Sequence, residues 1–218
     1  MDNKNINGKN RLNQLYLYLT EGCNLRCRHC WLAPKHENEN QKYKHMEFEI
    51  IKSLIKQGKE MGLSGVKLTG GEPLMHPQIV EIIDYLVDEG FSIVIETNGV
   101  LISDEIVASL KRAKAVSISI SLDGVDKESH EWVRLVEGCF EKAVSGMKKL
   151  VEAGIKPQII MSIMQHNKHQ TKELIRFAEE IGASSVKFNI VMPTERGKKM
   201  HEQGETVEIR ELVKMELS

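Results

Sequence analysis

An alternation of short β-branched runs with helically spaced segments repeats along almost the whole chain and limits the fold more than any other feature. Leu15–Thr20 and Val66–Thr69 read as strands, as do Ser92–Glu96, Val116–Ser121, Gln158–Ser162 and Ser185–Ile190. Between them, Phe48, Ile51, Leu54 and Ile55 recur at helical spacing, and Gln78–Asp88, Asp104–Lys111, Cys139–Glu152 and Lys172–Ile181 are predicted helices. Parallel neighbours need long crossovers, so this order predicts an α/β fold with parallel strands and helices on the outer face of the sheet. Such folds bind ligands at the carboxyl ends of their strands, where the most distinctive residues of this sequence fall.

Composition narrows the function classes. A chain of 218 residues, 41% hydrophobic and 28% charged, has the material for one folded domain. Its 30 Lys and Arg against 31 Asp and Glu give a net charge of −1, so nothing electrostatic points to a nucleic-acid partner. The N-terminus is rich in Asn and Lys and lacks the apolar run of a signal peptide, and no later stretch is long enough for a membrane span. The expectation is a cytoplasmic protein without a membrane partner. Beyond Pro193 the chain turns charged, through Glu195-Arg196-Gly197-Lys198-Lys199, before a weakly periodic helix expected from Glu205 to Leu217.

Cys23, Cys27 and Cys30 form a C-x3-C-x2-C cluster directly after the first strand, while Cys139 stands alone. A tight cluster in a reducing compartment reads as a metal site and not as a disulfide framework. Soft thiolates select iron–sulfur clusters, zinc or copper(I), and a structural zinc site closes with four ligands, so three are too few. A four-iron cluster on three cysteines leaves one iron open to an outside ligand. Cys139 reads as a buried packing thiol.

Three other strand ends are unusual. Gly70-Gly71-Glu72-Pro73 follows the second strand: two glycines open backbone angles closed to other residues, Pro73 fixes the exit, and Glu72 offers a carboxylate suited to a cationic amine. Glu96-Thr97-Asn98-Gly99 and Ser119-Ile120-Ser121-Leu122-Asp123-Gly124 bring hydroxyls, amides and carboxylates to the same rim. Taken singly, Gly-Gly, Asn-Gly and Asp-Gly are ordinary turn pairs.

Together, CNLRCRHC, GGEP, ETNG and SLDG resemble the radical S-adenosylmethionine (radical SAM) superfamily, over roughly Leu15 to Met192. The resemblance implies a partial (β/α)6 TIM-like barrel and a [4Fe–4S] cluster on Cys23, Cys27 and Cys30. It also implies reductive cleavage of S-adenosylmethionine to a 5′-deoxyadenosyl radical that takes hydrogen from a substrate. His29 stands at the family's aromatic position. Gly70, Gly71, Glu72 and Pro73 correspond to the segment that holds the methionine amine. Thr97 and Ser121 are candidates for ribose and methionine groups, Arg134 for the carboxylate, and Asn98, Ser119 and Asp123 for the rest of the cofactor rim. An arginine such as Arg134 is ordinarily solvated, and His130 ordinarily sits at a surface or cap. Met161 and Ser162 are placed near adenine, with Met161 reading first as core, and Asn189 and Met192 where a substrate is met.

The motifs look most like the branch with a cysteine-rich SPASM extension, including peptide-modifying maturases. No cysteine follows Cys139, so these residues build one cluster. The expected organisation is a polar lead at 1–14, a core at 15–193 and a charged segment at 194–218, the start of a truncated extension or the end of a short chain. The expected partners are an electron donor such as flavodoxin or ferredoxin and a peptide or protein substrate. The alternatives are a small metabolite or haem precursor and, in another class, a non-catalytic iron–sulfur or zinc-binding module.

Overall fold

The computed structural model describes residues 11–37 and 42–216, so most of the polar lead and Leu217 lie outside the described residues. Strand β1 (Gln14–Tyr18) leads into a two-residue pair, β2 (Gly22–Cys23) and β3 (Lys35–His36), that frames the cysteine loop. Then follow α1 (Phe48–Glu60), β4 (Gly65–Thr69), α2 (Ile79–Asp88), β5 (Ser92–Thr97), α3 (Asp104–Lys111) and β6 (Val116–Ser121). The chain continues through α4 (Lys127–Arg134), α5 (Cys139–Glu152), β7 (Gln158–Ile163), α6 (Thr171–Ile181) and β8 (Ser185–Ile190), and ends with α7 (Glu195–Glu202) and α8 (Ile209–Glu216). Six strands make one sheet in the order β1-β4-β5-β6-β7-β8, and every neighbouring pair is parallel. The α/β expectation therefore holds.

The two faces of this sheet differ in chemistry because side chains alternate along a strand. Leu17 of β1, Val66 and Leu68 of β4, Ile93 and Ile95 of β5, Ile118 and Ile120 of β6, and Ile159 and Met161 of β7 are buried in one core with Ile51, Ile55, Ile82, Ile83, Leu110, Met147 and Leu174 from the helices. Burying each such side chain contributes about 1.5–3 kcal/mol. The alternate positions are mostly polar, Val94 and Ile160 excepted. Lys67 and Glu96 pair at 2.6 Å across β4 and β5, and Lys67 Nζ lies 4.9 Å from the Tyr16 ring centroid. The polar face leads up to the strand ends where the cysteine loop sits.

Two helices were absent from the sequence reading. The α4 helix begins with Asp126 accepting from the Ser129 amide at 2.7 Å, but its buried residues are Ser129, His130, Val133 and Arg134. A helix that turns polar groups inward carries no apolar stripe to detect. The α7 helix lies within the charged run and buries Gly197 and Met200. The expected helix from Glu205 starts later, at Ile209, because Thr206 bridges to Met164 first.

Gly146 lies inside α5, where an alanine would ordinarily gain about 1 kcal/mol of helix propensity. A Cβ there would stand 2.4 Å from the Gly99 carbonyl oxygen and 3.1 Å from Ile102 Cδ1, and overpacking costs about 1–3 kcal/mol or more. Because the nearest obstacle is backbone, Gly146→Ala is expected to lose about 2 kcal/mol net, read as a lower urea midpoint at unchanged m-value.

Candidate functional site

The cysteine loop has little regular structure, so its backbone groups are satisfied from elsewhere. The Arg26 amide donates to the Arg134 carbonyl at 3.1 Å, the Arg28 amide to the Val133 carbonyl at 2.9 Å, and Arg28 Nε to the Trp132 carbonyl at 2.8 Å. These acceptors are carbonyls of the last turn of α4, which no helical amide can serve. The Arg28 guanidinium also lies 4.4 Å from the Trp132 ring centroid. On the other side, the β2–β3 pair and the bond from the Glu37 amide to the Cys23 carbonyl close the loop at its base.

All three clustered cysteines line one cavity of about 590 Å3 at the carboxyl ends of the strands. Around them stand His29, Gly70, Gly71, Glu72, Thr97, Asn98, Ser121 and Arg134, together with Ser162, Asn189 and Met192. Burial raises the thiol pKa of Cys23, and it also raises that of Cys27 against the opposing pull of Arg134. Metal binding here would release protons. Among the described residues no three His, Cys, Asp or Glu side chains gather around a point for a single ion. A four-iron cluster asks for a different donor set, one thiolate at each of three irons, and three soft thiols along one wall fit that requirement. Cys139 is buried behind the loop with Leu25, off the cavity, and burial pushes its thiol up to about 12.

The GGEP segment lines the cavity at Gly70, Gly71 and Glu72 and is also tied closely to the rest of the chain. Gly70 has φ +126, and a Cβ there would meet the Thr20 carbonyl oxygen at 2.9 Å. Gly71 is needed for close approach, but the group approached is the chain's own Gly22 carbonyl, 2.0 Å from a would-be Cβ. The Glu72 amide donates to that same carbonyl at 2.9 Å. Glu72 itself is fully engaged: its carboxylate accepts from Thr97 Oγ1 at 2.7 Å, the Asn98 amide at 2.8 Å and the Leu74 amide at 3.1 Å. It braces the ends of β4 and β5 while lining the cavity. Thr97 is committed in the same way, since its hydroxyl also accepts from the Gly99 amide at 3.0 Å. Asn98 reaches the loop, donating from Nδ2 to Asn24 Oδ1 at 2.7 Å. Pro73 is buried at the start of a short 3-10 turn and is not on the cavity wall.

Two further residues are displaced from their expected places. Ser119 lies off the cavity, bonded weakly to Gln158 at 3.4 Å. Asp123 is fully buried, with Oδ2 2.7 Å from Arg134 Nη2 and Oδ1 accepting from the Ser162 amide at 2.9 Å. Burial pulls its pKa upward, but Arg134, His29, His130 and the Ser162 amide outweigh that and hold it below the ordinary value. Arg134 is therefore not a solvated arginine: it is 6% exposed, and its Nη1 lies 3.4 Å from Cys27 Sγ. Its buried Nε has no hydrogen-bond partner in the protein, and the residue as a whole lines the cavity. His29 stands 3.7 Å from Asp123 and is held neutral, with a pKa near 4, because burial outweighs the attraction of Asp123. His130 is also buried, and its Nδ1 accepts from the Asp123 amide at 3.1 Å, so the neutral ring carries its proton on Nε2.

The sequence matches the Radical SAM superfamily over residues 17–202. The chain belongs to the radical SAM superfamily. Its radical SAM relatives include the AdoMet-dependent heme synthase of Methanosarcina barkeri (strain Fusaro / DSM 804), 34% identical over 82% of this chain and 50% of the relative. Another is the antilisterial bacteriocin subtilosin biosynthesis protein AlbA of Bacillus subtilis (strain 168), 30% identical over 83% of this chain and 40% of the relative. The chain spans about half the length of the curated relatives it matches. Among solved structures, Streptococcus suis SuiB bound to S-adenosylmethionine superposes with a TM-score of 0.70 at 22% identity, over 82% of this chain and 40% of that one. The anSMEcpe structure with AdoMet and the Cp18Cys peptide gives 0.72 at 19% identity, over 93% and 57%. These likenesses place the fold among the partial TIM barrels of radical SAM enzymes, which use a [4Fe–4S] cluster and S-adenosylmethionine.

Asn24 and Arg196 were missed by sequence reasoning; Asn24 sits inside the cysteine motif and bonds to Asn98, 74 residues away, a contact that no sequence pattern announces.

Asp123→Asn would leave Arg134 buried without its counter-charge and is expected to cost about 3–5 kcal/mol, measured by urea unfolding at neutral pH. His130 gives a pH signature. Burial, aided by Arg134, pushes its pKa down to about 3 from 6.5, so between those values the unfolded chain binds a proton that the native state refuses. Stability is expected to fall as pH drops from about 6.5 toward 3, and to fall less steeply in His130→Asn, by urea midpoints across that range.

Proposed function

We propose that Cys23, Cys27 and Cys30 hold the [4Fe–4S] cluster, that the cavity they line seats S-adenosylmethionine, and that the substrate is a peptide or protein. The observation that carries this reading is the convergence of all three thiols with Gly70, Gly71, Ser121 and Arg134 around one cavity. When bound, the cluster and S-adenosylmethionine supply a 5′-deoxyadenosyl radical for hydrogen abstraction, chemistry beyond the reach of any side chain. The protein's part is to bind, orient and exclude water. Arg134, fixed by Asp123, lines the cavity and brings a positive charge to the ligand carboxylate. Ser121 and Ser162 present polar groups to the nucleoside, and the neutral ring of His29 borders the cavity. Glu72, Thr97 and Asn98 keep the three strand-end segments in register.

The peptide reading is supported by charge. Among the described residues lining the cavity, Arg134 is the lone Lys or Arg, and it already pairs with Asp123. A tetracarboxylate macrocycle or a triphosphate would meet almost no free positive charge there, whereas Ser162, Asn189 and the apolar Trp31, Ile190 and Met192 suit an uncharged polypeptide segment. SuiB with its precursor peptide SuiA and anSMEcpe with Cp18Cys are relatives of the same fold with peptides bound. The small-metabolite reading is favoured by higher sequence identity, to heme synthases at 31–34% and to a GTP 3′,8-cyclase of Clostridium perfringens at 31%. Among the described residues no helix is long and apolar enough to cross a membrane. Free thiols and an oxygen-labile cluster fit a cytoplasmic setting with a flavodoxin or ferredoxin as electron donor.

After anaerobic reconstitution, Cys27→Ala is expected to lose the brown cluster absorption and the release of 5′-deoxyadenosine, while Cys139→Ala keeps both. Equal loss in the two variants would overturn the ligand assignment. A protein that binds zinc and cleaves no S-adenosylmethionine would overturn the enzyme reading.

A further inference from the structure

Beyond β8 the chain crosses from the far edge of the sheet back to the cysteine loop, which follows the strand at the opposite edge. The contact is made by one residue. The Arg196 amide donates to the Cys30 carbonyl at 3.3 Å, its Nη2 to the Pro34 carbonyl at 3.1 Å, and its Nη1 to the Cys27 carbonyl at 3.5 Å, at the limit of a hydrogen bond. Two of these three acceptors belong to cysteines of the cluster motif.

The local backbone is built to deliver this contact. Glu195, directly before Arg196, has φ +45, a left-handed conformation that costs a non-glycine residue energy and persists where surroundings enforce it. Directly after it, Gly197 packs so tightly that a Cβ would stand 2.1 Å from the Met192 carbonyl oxygen. Strain on one side and close packing on the other fix the direction in which Arg196 leaves α7.

We propose that Arg196 is a positioning residue for the iron–sulfur site: it ties the carbonyls of Cys27, Cys30 and Pro34 together so that the loop keeps its thiols on the cavity wall. A guanidinium suits the task because its planar fork serves two carbonyls at once and stays charged, offsetting the negative charge that three thiolates bring. The loop thereby has two supports with opposite hydrogen-bonding roles. The α4 terminus accepts from the amides of Arg26 and Arg28, and Arg196 donates to loop carbonyls.

The inference rests on the assignment of the cluster to Cys23, Cys27 and Cys30, and the experiment separates the two. The wild-type chain, Arg196→Gln, Arg196→Lys and Lys198→Gln, the last an exposed residue of the same helix, are reconstituted anaerobically with iron and sulfide. Bleaching of the cluster absorption by an iron chelator is then followed, and the electron paramagnetic resonance spectrum of each reduced sample is recorded. Arg196→Gln is expected to bleach about tenfold faster than wild type with an altered spectrum, Arg196→Lys to fall between, and Lys198→Gln to match wild type in both. Apoprotein unfolding midpoints check that the order does not follow global stability. Equal bleaching rates and spectra for wild type and Arg196→Gln would overturn the positioning role, as would Arg196→Lys indistinguishable from wild type should the glutamine variant not fold. A wild-type chain that takes up no cluster would instead overturn the underlying assignment.

Discussion

A loop that must turn three thiols toward one cavity can bond little of its backbone into a ladder beyond the two-residue β2–β3 pair, and much of the site's architecture answers that constraint. Buried amides and carbonyls without partners would each cost about 1–3 kcal/mol, so the cysteine loop exists in this shape only where neighbours supply the missing bonds. The supply comes from places far apart in sequence. The end of α4 accepts from Arg26 and Arg28, Gly22 accepts from the Glu72 amide, Asn24 accepts from Asn98, and Arg196 donates to three loop carbonyls. The loop therefore belongs to the fold as a whole, although its three cysteines lie within eight residues.

The same logic explains why so many charged groups are buried around it. Asp123, Arg134 and Glu72 are each no more than 6% exposed, a costly arrangement unless every charge is paired or hydrogen-bonded. Asp123 is met by Arg134 and the Ser162 amide, and Glu72 by three donors. For Glu72 burial still wins and its pKa is raised, whereas for Asp123 burial, the largest single influence, is outweighed by Arg134 together with His29, His130 and the Ser162 amide, and its pKa is lowered. The difference is physical: the dipoles around Glu72 offset its desolvation only in part, while at Asp123 a full charge at 2.7 Å adds to the histidines and the Ser162 amide, and together they outweigh burial. Arg134 gains a fixed orientation from this pair and carries it to Cys27, so Asp123, which never reaches the cavity, still sets what the cavity wall presents.

Much of this was legible in the sequence, and the boundary of legibility follows from what each residue bonds to. All six strands of the main sheet lie within two residues of their expected ends, because β-branched runs bounded by turns report burial directly. The cysteines were legible from spacing, and the strand-end rim from its position. What stayed hidden is polar and inward. The buried side of α4 is Ser129, His130 and Arg134 with one valine, so its pattern reads as surface, and Arg134 reads as solvated for the same reason. Arg196 donates to carbonyls, which every residue has, so no partner residue type announces it. For Glu72 only the position at the cavity was legible; its bonds to Thr97 and Asn98, residues of the next rim motif, were not.

That exchange of partners bears on how the rim works. Had Glu72, Thr97 and Asn98 all pointed at a ligand, the ends of β4 and β5 would have been held by little besides the ligand, and the site would assemble only upon binding. Engaging these groups with one another fixes the rim beforehand and, in the proposed reading, leaves recognition to other residues of the wall: Gly70, Gly71, Ser121, Ser162 and Arg134. A radical that would attack any nearby C–H bond demands such preorganisation, since positioning, and not reactivity, decides which hydrogen is taken. The polar rim of the barrel thus divides into groups that hold the site and groups that remain available to a ligand, and residue type alone does not tell them apart.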